Sequence, residues 1–246
     1  MEIGGKVALV TGASSGVGRR MAERLAGKGA TLGLLGRDES RLEETAASCR
    51  QSGAGVVVCS AGDVSVEADV DRAFATFERD LGATDILANC AGISLPDRIR
   101  LEDIPSELWR TMFDTNVLGT YLTCRRALPG MKARGSGFVV NIGSTGAHVA
   151  LPGVSSYAAS KFAVRALTDS MLQECEGLGI RVCLVSAGPI NTPTWDKMRR
   201  PAPMPRDAML QPDDIADAAI WLLERPTRVR CDEILLRPVR KPQLDF

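Results

Sequence analysis

A tyrosine and a lysine, Tyr157 and Lys161, stand four positions apart in the stretch YAASK. In a helix, side chains at this spacing share one face, so the phenol and the ammonium can approach each other. A nearby ammonium favours the phenolate and lowers the phenol's pKa from its usual value of about 10. Such a phenol can protonate a carbonyl oxygen as it is reduced, and take the proton back in the reverse direction. The simpler alternative is a solvated helix face carrying an aromatic ring and a cation.

A glycine-rich turn, TGASSGVG at residues 11–18, lies between an apolar run and an amphipathic one. Glycines there permit a tight turn and close approach of the backbone to a pyrophosphate, and the following helix N-terminus favours negative charge. The spacing is Gly12, Gly16, Gly18 rather than the GxGxxG of the commonest dinucleotide sites. Alone, the turn could be a tight connection. Its place between a strand and a helix predicts a dinucleotide site.

Short β-branched apolar runs alternate with longer amphipathic segments along the chain. The predicted strands span residues 6–11, 31–36, 56–64, 84–92, 137–144, 181–188 and 232–238. The predicted helices span residues 17–29, 38–50, 66–81, 105–133, 155–177 and 213–224. This alternation indicates right-handed βαβ units. We therefore predict an α/β fold, a doubly wound (Rossmann-type) three-layer sandwich with a seven-stranded parallel sheet, as a single domain over residues 1–246.

Composition limits the classes of partner. Thirty basic residues balance 30 acidic ones, so no global field draws the chain to nucleic acid or to an anionic membrane. No apolar run reaches transmembrane length, and the N-terminal stretch lacks the features of a signal peptide. Seven scattered cysteines without a CxxC pair, and a single histidine, His148, offer no metal-ligand spacing. We expect no metal and a reducing, cytoplasmic location.

One segment, PTWDKMRRPAPMPRDAMLQP at residues 193–212, breaks the alternation because its prolines resist regular structure. It follows the carboxyl end of a strand, where a flap would cover a ligand. We predict a substrate-covering flap at about 190–212, a surface excursion being the alternative. Trp195 and Met198 in this flap could form an apolar substrate wall or pack elsewhere, and His148 could edge the same pocket.

Five separated motifs together resemble the short-chain dehydrogenase/reductase family. They are TGASSGVG, NCAG at residues 89–92, Asn116 in a predicted helix, Ser144 after a strand, and YAASK. The resemblance covers nearly the whole chain, with the motifs in the family's order and spacing. It implies that Ser144 donates to the substrate oxygen where charge develops. It also implies that Lys161 holds the nicotinamide ribose, and that Asn116 holds a water in a proton relay to Lys161, local helix bonding being the alternative.

The end of the second predicted strand indicates which dinucleotide is used. An NAD site is expected to place a carboxylate about twenty residues beyond the glycine turn, on the ribose 2′-hydroxyl. Here the strand ends with Gly36 and Arg37. Arg37 offers a planar cation able to hold a 2′-phosphate, with Ser14 and Ser15 adding hydroxyls. We therefore predict NADP(H) rather than NAD(H), a solvent-facing charge being the alternative for Arg37.

The resemblance implies further dinucleotide contacts. It assigns Asp63 and Val64 to the adenine, although Asp63 could instead cap the helix that follows. The complete set of predicted cofactor-binding residues is Gly12, Ser14, Ser15, Gly16, Val17, Gly18, Arg37, Asp63, Val64, Asn89, Ala91, Gly92, Tyr157, Lys161, Gly188, Pro189, Ile190 and Thr192. The chain departs from the family in having Ala187 where proline usually precedes Gly188, which leaves that backbone less rigid.

The predicted function is an NADP(H)-dependent oxidoreductase that interconverts a ketone or aldehyde with an alcohol. Alternatives are a 3-oxoacyl thioester or secondary-metabolite ketoreductase, and a dinucleotide-binding sensor without turnover, which would be expected to lose the tyrosine–lysine pair. The C-terminal stretch resembles the branch of 3-hydroxy acid, serine-type and broad alcohol dehydrogenases. The resemblance also implies a homodimer or homotetramer built through the helices at 105–133 and 155–177, whose apolar positions fit an interface or a core equally.

Overall fold

Seven parallel strands form one sheet within residues 2–240, the part of the chain that the computed structural model describes. They are β1 (Val7–Thr11), β2 (Thr31–Gly36), β3 (Val57–Ala61), β4 (Ile86–Asn89), β5 (Gly137–Ile142), β6 (Ile180–Ala187) and β7 (Glu233–Leu236). Their order is β3-β2-β1-β4-β5-β6-β7, so the winding direction reverses between β1 and β4. The predicted doubly wound fold with a seven-stranded parallel sheet is confirmed. Met1 and residues 241–246 lie outside the described residues.

Helices cover both faces of the sheet. They are α1 (Gly16–Gly27), α2 (Glu39–Gln51), α3 (Glu67–Leu81), α4 (Ser106–Phe113), α5 (Gly119–Arg134), α6 (Ser155–Glu174) and α7 (Pro212–Leu223). The cluster on one face includes Met21 and Ile215, and the cluster on the other includes Phe74 and Phe77. A sheet buried on both faces explains why the strands are continuous apolar runs, as in the fully buried β1. No helix of residues 2–240 is long and apolar enough to cross a membrane.

The helix predicted over residues 105–133 is interrupted. Between α4 and α5, residues Asp114–Leu118 form one π-helical turn, and the N–H of Gly119 donates to the carbonyl of Asp114. Such turns are rare and are frequent at functional sites. Several strands are also shorter than predicted; in particular, β3 ends at Ala61 and β4 ends at Asn89. The residues beyond these two strands form loops at the carboxyl edge of the sheet.

The predicted flap region contains two short 3₁₀ helices, Pro193–Lys197 and Arg206–Ala208. Its two ends lie side by side, because a parallel bridge joins Ile190 to Leu210. Arg206 reinforces this base by donating to the side-chain oxygen of Asn191 at 2.6 Å. The segment therefore leaves the sheet and returns to it at nearly the same point.

Candidate active site

A cavity of about 450 Å³ opens at the carboxyl edge of the sheet, at the point where the strand order reverses. Twenty of the predicted site residues line it: Gly12, Ser14, Ser15, Gly16, Val17, Gly18, Arg37, Asp63, Val64, Ala91, Gly92, Ser144, Tyr157, Lys161, Gly188, Pro189, Ile190, Thr192, Trp195 and Met198. Asn89, Asn116 and His148 do not line it. Residues that follow six different strands, β1 to β6, therefore meet in one place.

The glycine-rich turn closes tightly at one side of the cavity. Gly12 has a φ of 64°, and a Cβ there would lie 2.8 Å from the Cα of Ala91. A Cβ on Gly18 would lie 2.3 Å from the carbonyl oxygen of Gly12, so these two positions require glycine. Thr11 fixes the facing loop, since its hydroxyl accepts from the N–H groups of Cys90 and Ala91, each at 3.1 Å. The sequence requirement is thus one of close backbone approach.

The N-terminus of α1 points its N–H groups into this turn. Its N-cap, Ser15, makes no side-chain capping bond within the described residues, and the first turn of α1 carries no acidic residue. The first N–H groups of a helix have no partner within the helix, and its dipole favours an anion there. The turn can therefore hold a pyrophosphate without displacing any side chain that caps it.

Arg37 lies at the end of β2 with 67% of its side chain exposed. Its Nη1 is 3.8 Å from Oδ2 of Asp63, a solvent-exposed pairing that contributes little stability. A Cβ on Gly36 would lie 3.1 Å from Oγ of Ser14, so a carboxylate-bearing side chain at position 36 would crowd this serine. The corner therefore offers a cation and a hydroxyl in place of an acidic residue.

Asp63 forms a turn after β3. Its Oδ1 accepts from the backbone N–H of Ser65 at 2.9 Å and from the hydroxyl of Ser65 at 2.7 Å. The N-cap of α3 is Val66, so the alternative that Asp63 caps this helix is wrong. Val64 is buried against Gly119, where a Cβ would lie 2.6 Å from Cγ2 of Val64. The turn presents Asp63 and Val64 together at the cavity wall.

Tyr157 meets Ser144 at the other side of the cavity. Burial raises the pKa of Tyr157, while a hydrogen bond with the Ser144 side chain and the nearby Arg200 guanidinium act to lower it. Ser144 is itself fixed, because its Oγ accepts from the N–H of Gly146 at 3.0 Å. The two hydroxyls are therefore held together at a wall of the cavity, where a carbonyl oxygen could contact both.

Lys161 is buried, with 7% of its surface exposed, one helical turn beyond Tyr157. Its Nζ donates to the carbonyl of Ile142 at 2.9 Å. Burial lowers the pKa of Lys161 to about 8. The groups that lower the pKa of Tyr157 in this structure are Ser144 and Arg200, so the lowering by Lys161 that the sequence suggested stays a prediction.

Asn116 is buried behind the cavity, in the π turn, and does not line it. Its Oδ1 accepts from the N–H of Ile93 at 2.8 Å, and its Nδ2 donates to the carbonyl of Ile93 at 3.0 Å. Nδ2 also lies 2.9 Å from the hydroxyl of Ser160. The amide thus joins the loop after β4 to α6. The water relay from Asn116 to Lys161 stays a prediction.

Asn89 was expected at the cofactor, and this expectation is wrong for its side chain. Asn89 is buried within the sheet, where Nδ2 donates to Oδ1 of Asn141 at 2.9 Å and Oδ1 accepts from Thr123 at 2.7 Å. Asn141 extends this series of hydrogen bonds, because its side-chain nitrogen donates to the hydroxyl of Thr168 at 2.9 Å. These bonds tie β4 and β5 to α5 and α6, so Asn89 is structural.

His148 was expected at the edge of the substrate pocket, and the structure places it elsewhere. Its Nδ1 accepts from Arg165 at 3.0 Å and its Nε2 lies 2.6 Å from Oε1 of Glu233. The imidazole is therefore engaged between α6 and β7, and both ring nitrogens are occupied. Its neighbour Val149 lines the cavity instead.

Sequence reasoning missed several lining residues: Cys90, Ile93, Ser94, Arg98, Val149, Leu151, Val154 and Arg200. Most lie in loops without a motif. The one available signal was the pair of adjacent arginines at 199 and 200 in a flap rich in proline and methionine. Arg199 is exposed and Arg200 faces the cavity, a difference that no periodicity in this proline-rich segment could predict.

Comparisons with known proteins agree with this geometry. A family model described as short chain dehydrogenase matches residues 6–202. An uncharacterized oxidoreductase of Staphylococcus saprophyticus is 37% identical over 97% of this chain and 100% of its own length. The chain therefore belongs to the short-chain dehydrogenase/reductase family, as its motifs predicted. It is an oxidoreductase of that family, whose members use a nicotinamide dinucleotide.

Two solved structures are similar over nearly their whole length. The alcohol dehydrogenase of the archaeon Thermococcus sibiricus, complexed with 5-hydroxy-NADP, has a TM-score of 0.87 at 30% identity, covering 97% of this chain and 99% of the other. The 3-ketoacyl-(acyl-carrier-protein) reductase of Brucella melitensis, complexed with NADH, has a TM-score of 0.87 at 31% identity and the same coverage. These two neighbours differ in both substrate and cofactor.

Proposed function

We propose that this protein is an NADP(H)-dependent oxidoreductase that interconverts a ketone or an aldehyde with an alcohol, with Tyr157 as the general acid and base. The observation that carries the proposal is the arrangement of Tyr157, Ser144 and Lys161 in the cavity that also contains the glycine-rich turn. A sensor without turnover would not need a buried lysine one turn from a tyrosine that meets a serine.

The residues of the cavity fit a dinucleotide. The turn at residues 11–18 and the N-terminus of α1 would hold its pyrophosphate, and Asp63 with Val64 would hold the adenine. Lys161 would hold the nicotinamide ribose, and Gly188 to Thr192 would contact the nicotinamide. When bound, the nicotinamide supplies or accepts the hydride.

The chain's own residues manage the proton and the developing charge. Tyr157 gives its proton to the carbonyl oxygen during reduction and removes it from the alcohol during oxidation. Ser144 donates to the same oxygen and stabilises the charge that develops there. Lys161, whose pKa burial lowers to about 8, can take up or release a proton near neutral pH.

The preference for NADP(H) rests on the corner at the end of β2. Ser14 occupies the space beside Gly36, and Arg37 offers five donors in a planar array that matches a phosphate. One of the two similar structures is complexed with 5-hydroxy-NADP and the other with NADH. The proposed preference for NADP(H) therefore depends on Arg37 and Gly36 of this chain. Their contribution is measurable with a single substitution, as described below.

A second candidate reaction is the reduction of a 3-oxoacyl thioester. It is favoured by the similarity to the ketoacyl reductase of Brucella melitensis. The test is NADPH oxidation, followed by nicotinamide absorbance, with 3-oxo acids, 3-oxoacyl thioesters, cyclic ketones and aldehydes, and with Tyr157→Phe as the blank. Turnover that depends on Tyr157 supports the proposed function and ranks the substrate classes. Tight NADPH binding without turnover of any of these would favour the sensor.

We also infer a homodimer or homotetramer. Three large apolar side chains within the predicted interface helices are exposed, Leu118 at 38%, Tyr121 at 42% and Phe162 at 43%, and Leu235 on β7 is exposed at 40%. Light scattering coupled to size-exclusion chromatography would measure the mass, and Phe162→Asp would reduce it. The seven cysteines are free within residues 2–240, which is consistent with the proposed reducing, cytoplasmic location.

A further inference from the structure

The part of the cavity around Tyr157 has an uneven composition. Apolar side chains form much of its wall: Ile93, Val149, Leu151, Val154, Trp195 and Met198. Two arginines, Arg98 and Arg200, are also in this wall. The carboxylate lining the cavity, among the residues that the structure describes, is Asp63, which belongs to the turn beside Arg37. The wall near Tyr157 is therefore apolar and positively charged.

Arg200 is held in an unusual environment. It is partly buried, and its guanidinium carbon lies 5.5 Å from the centre of the Trp195 ring. Its Nε is buried and has no hydrogen-bond partner among residues 2–240. A buried donor without a partner is uncommon, and it marks a place where a bound group can supply the missing acceptor.

Arg98 approaches the same space from the loop after β4. Its Nη1 donates to the carbonyl of Pro152 at 3.2 Å, and the next N–H, that of Ile99, donates to the carbonyl of Gly153 at 3.0 Å. These bonds fix Arg98 against the loop that precedes α6. The flap contacts the same region, since the N–H of Arg199 donates to the carbonyl of Pro96 at 2.9 Å. Both arginines are thus positioned by backbone contacts of their own segments.

Arg98 adds positive charge beside Arg200. Burial and the neighbouring Arg98 lower the pKa of Arg200, while Asp97 and Tyr157 act to raise it. Arg200 is also close enough to Tyr157 to lower the pKa of the phenol. An anion bound at Arg200 would therefore lie in the same pocket as a carbonyl at Tyr157.

We propose that the substrate is a carbonyl compound of the oxo-acid class, and that Arg98 and Arg200 hold its carboxylate while Tyr157 and Ser144 engage its carbonyl. This inference rests on the proposed function and narrows its substrate. Guanidinium groups match carboxylate geometry and can form two parallel bonds with it. A partly buried cation gains most from a counter-charge that also satisfies its open donor.

The first experiment compares each acid with its amide, which has nearly the same shape without the charge. The pairs are 3-oxobutanoate with 3-oxobutanamide and 2-oxobutanoate with 2-oxobutanamide. Hydrogen bonds to a charged group contribute about 1.5–3 kcal/mol, so kcat/KM for an acid should exceed that for its amide by about 10- to 150-fold. Arg200→Met should remove most of this ratio by raising KM for the acid, whereas any change in kcat that comes from the altered pKa of Tyr157 should be the same for acid and amide.

Two variants separate charge from packing. Arg200→Lys keeps a cation near Trp195 and should restore part of the preference. Arg199→Met is the matched control, because Arg199 is adjacent in sequence, exposed and outside the cavity wall, and its contact with Pro96 uses the backbone. Arg199→Met should leave kcat/KM unchanged for both the acid and the amide. Equal kcat/KM for acid and amide in the wild type, or an equal loss for both in Arg200→Met, would overturn the proposal.

A second readout does not require turnover. Ligand-observed NMR of the NADPH-loaded protein would compare the binding of butanoate with that of butanamide. Binding of butanoate but not of butanamide supports the anion site even if none of the tested ketones is reduced. This binding should be lost in Arg200→Met and retained in Arg199→Met. Turnover that depends on Tyr157 without any preference for acids would overturn the anion site and leave the proposed function standing.

Discussion

The side-chain nitrogen of Asn116 donates to the hydroxyl of Ser160 at 2.9 Å, and this hydroxyl in turn donates to the backbone carbonyl of Tyr157 at 2.7 Å. Ser160 immediately precedes Lys161. The bond therefore joins the π turn directly to the turn of α6 that carries the tyrosine–lysine pair. Through Ile93, the same amide also fixes the loop that lines the cavity.

Replacing Asn116 with leucine should lower both stability and activity. The N–H and carbonyl of Ile93 would lose their side-chain partner in a buried position. We expect the free energy of unfolding to fall by about 2–6 kcal/mol, since each of these two polar groups left without a partner costs about 1–3 kcal/mol. Urea denaturation would measure it. Ser160→Ala removes only part of the network and should cost less. An equal or larger loss in Ser160→Ala would contradict this account.

Tyr157→Phe should abolish most turnover and leave the cofactor in place. Loss of a positioned general acid lowers the rate by about 10²- to 10⁴-fold. The dissociation constant of NADPH, measured by fluorescence titration, should change by less than about threefold, since phenylalanine keeps the ring. Tyr121→Phe is the matched control, because Tyr121 is the other tyrosine of the chain and is exposed on α5. Its activity should equal that of the wild type.

Arg37→Met should weaken the preference for NADPH over NADH. A lost charge-assisted bond of about 1.5–3 kcal/mol raises KM for NADPH by about 10- to 150-fold, and KM for NADH should hardly change. Arg41→Met provides the comparison, since Arg41 is exposed and pairs with Asp38 at the start of α2. If Arg37→Met leaves both KM values unchanged, Arg37 does not contact the 2′-phosphate.

Lys161 should make the cofactor-free protein more stable as pH rises above 8. Burial lowers its pKa from the ordinary value of 10.5 to about 8, so between these values the unfolded chain binds a proton that the folded chain does not. Stability from this group therefore rises across that window, by about 3 kcal/mol in total.

The measurement is the difference between wild type and Lys161→Met in the free energy of unfolding from pH 7 to pH 10. The difference is needed because burial raises the pKa of Cys49 to about 12, which lowers stability with rising pH above its ordinary value of 9.0. Identical slopes for the two proteins would show that Lys161 does not titrate between those limits.

His148→Ala should destabilise the fold without changing substrate binding. It removes a partner from Glu233 and Arg165, both engaged between α6 and β7, at a cost of about 1–3 kcal/mol. Thermal denaturation would detect the loss, while KM for the substrate should stay the same. Glu233→Gln should have a similar effect, and the double variant should cost less than the sum of the two. A raised KM for the substrate in His148→Ala would show that this histidine contributes to the substrate pocket.

The fold could be predicted from the sequence more completely than the lining of the cavity. The continuous apolar runs that form β1 and its neighbours predict a parallel sheet, and the right-handed connections between parallel strands leave few possible strand orders. Gly12 and Gly18 were predictable because only glycine allows the close approach that their positions require. In these places local sequence and tertiary structure demand the same residue.

The predictions that failed concern side-chain direction. Asn89 and His148 lie within or beside motifs, but a one-residue difference in register decides whether a side chain after a strand faces the cavity or the interior. The π turn at Asn116 has no recognisable sequence signal, because a single extra residue in one turn hardly changes the spacing of apolar residues along the helix. Arg98 and Arg200 lie in loops, where neither period nor propensity indicates direction.

The bridge between Ile190 and Leu210 holds the two ends of the predicted flap together. Because the two ends of this segment are pinned together, the length between them can vary cheaply: each doubling of a loop costs only about 0.6 kcal/mol. Tyr157 and Lys161 lie on a helix that does not share this segment's backbone. Residues 193–209 can therefore be replaced by a segment of different length and composition, and such variants would measure how much these residues contribute to the choice of substrate.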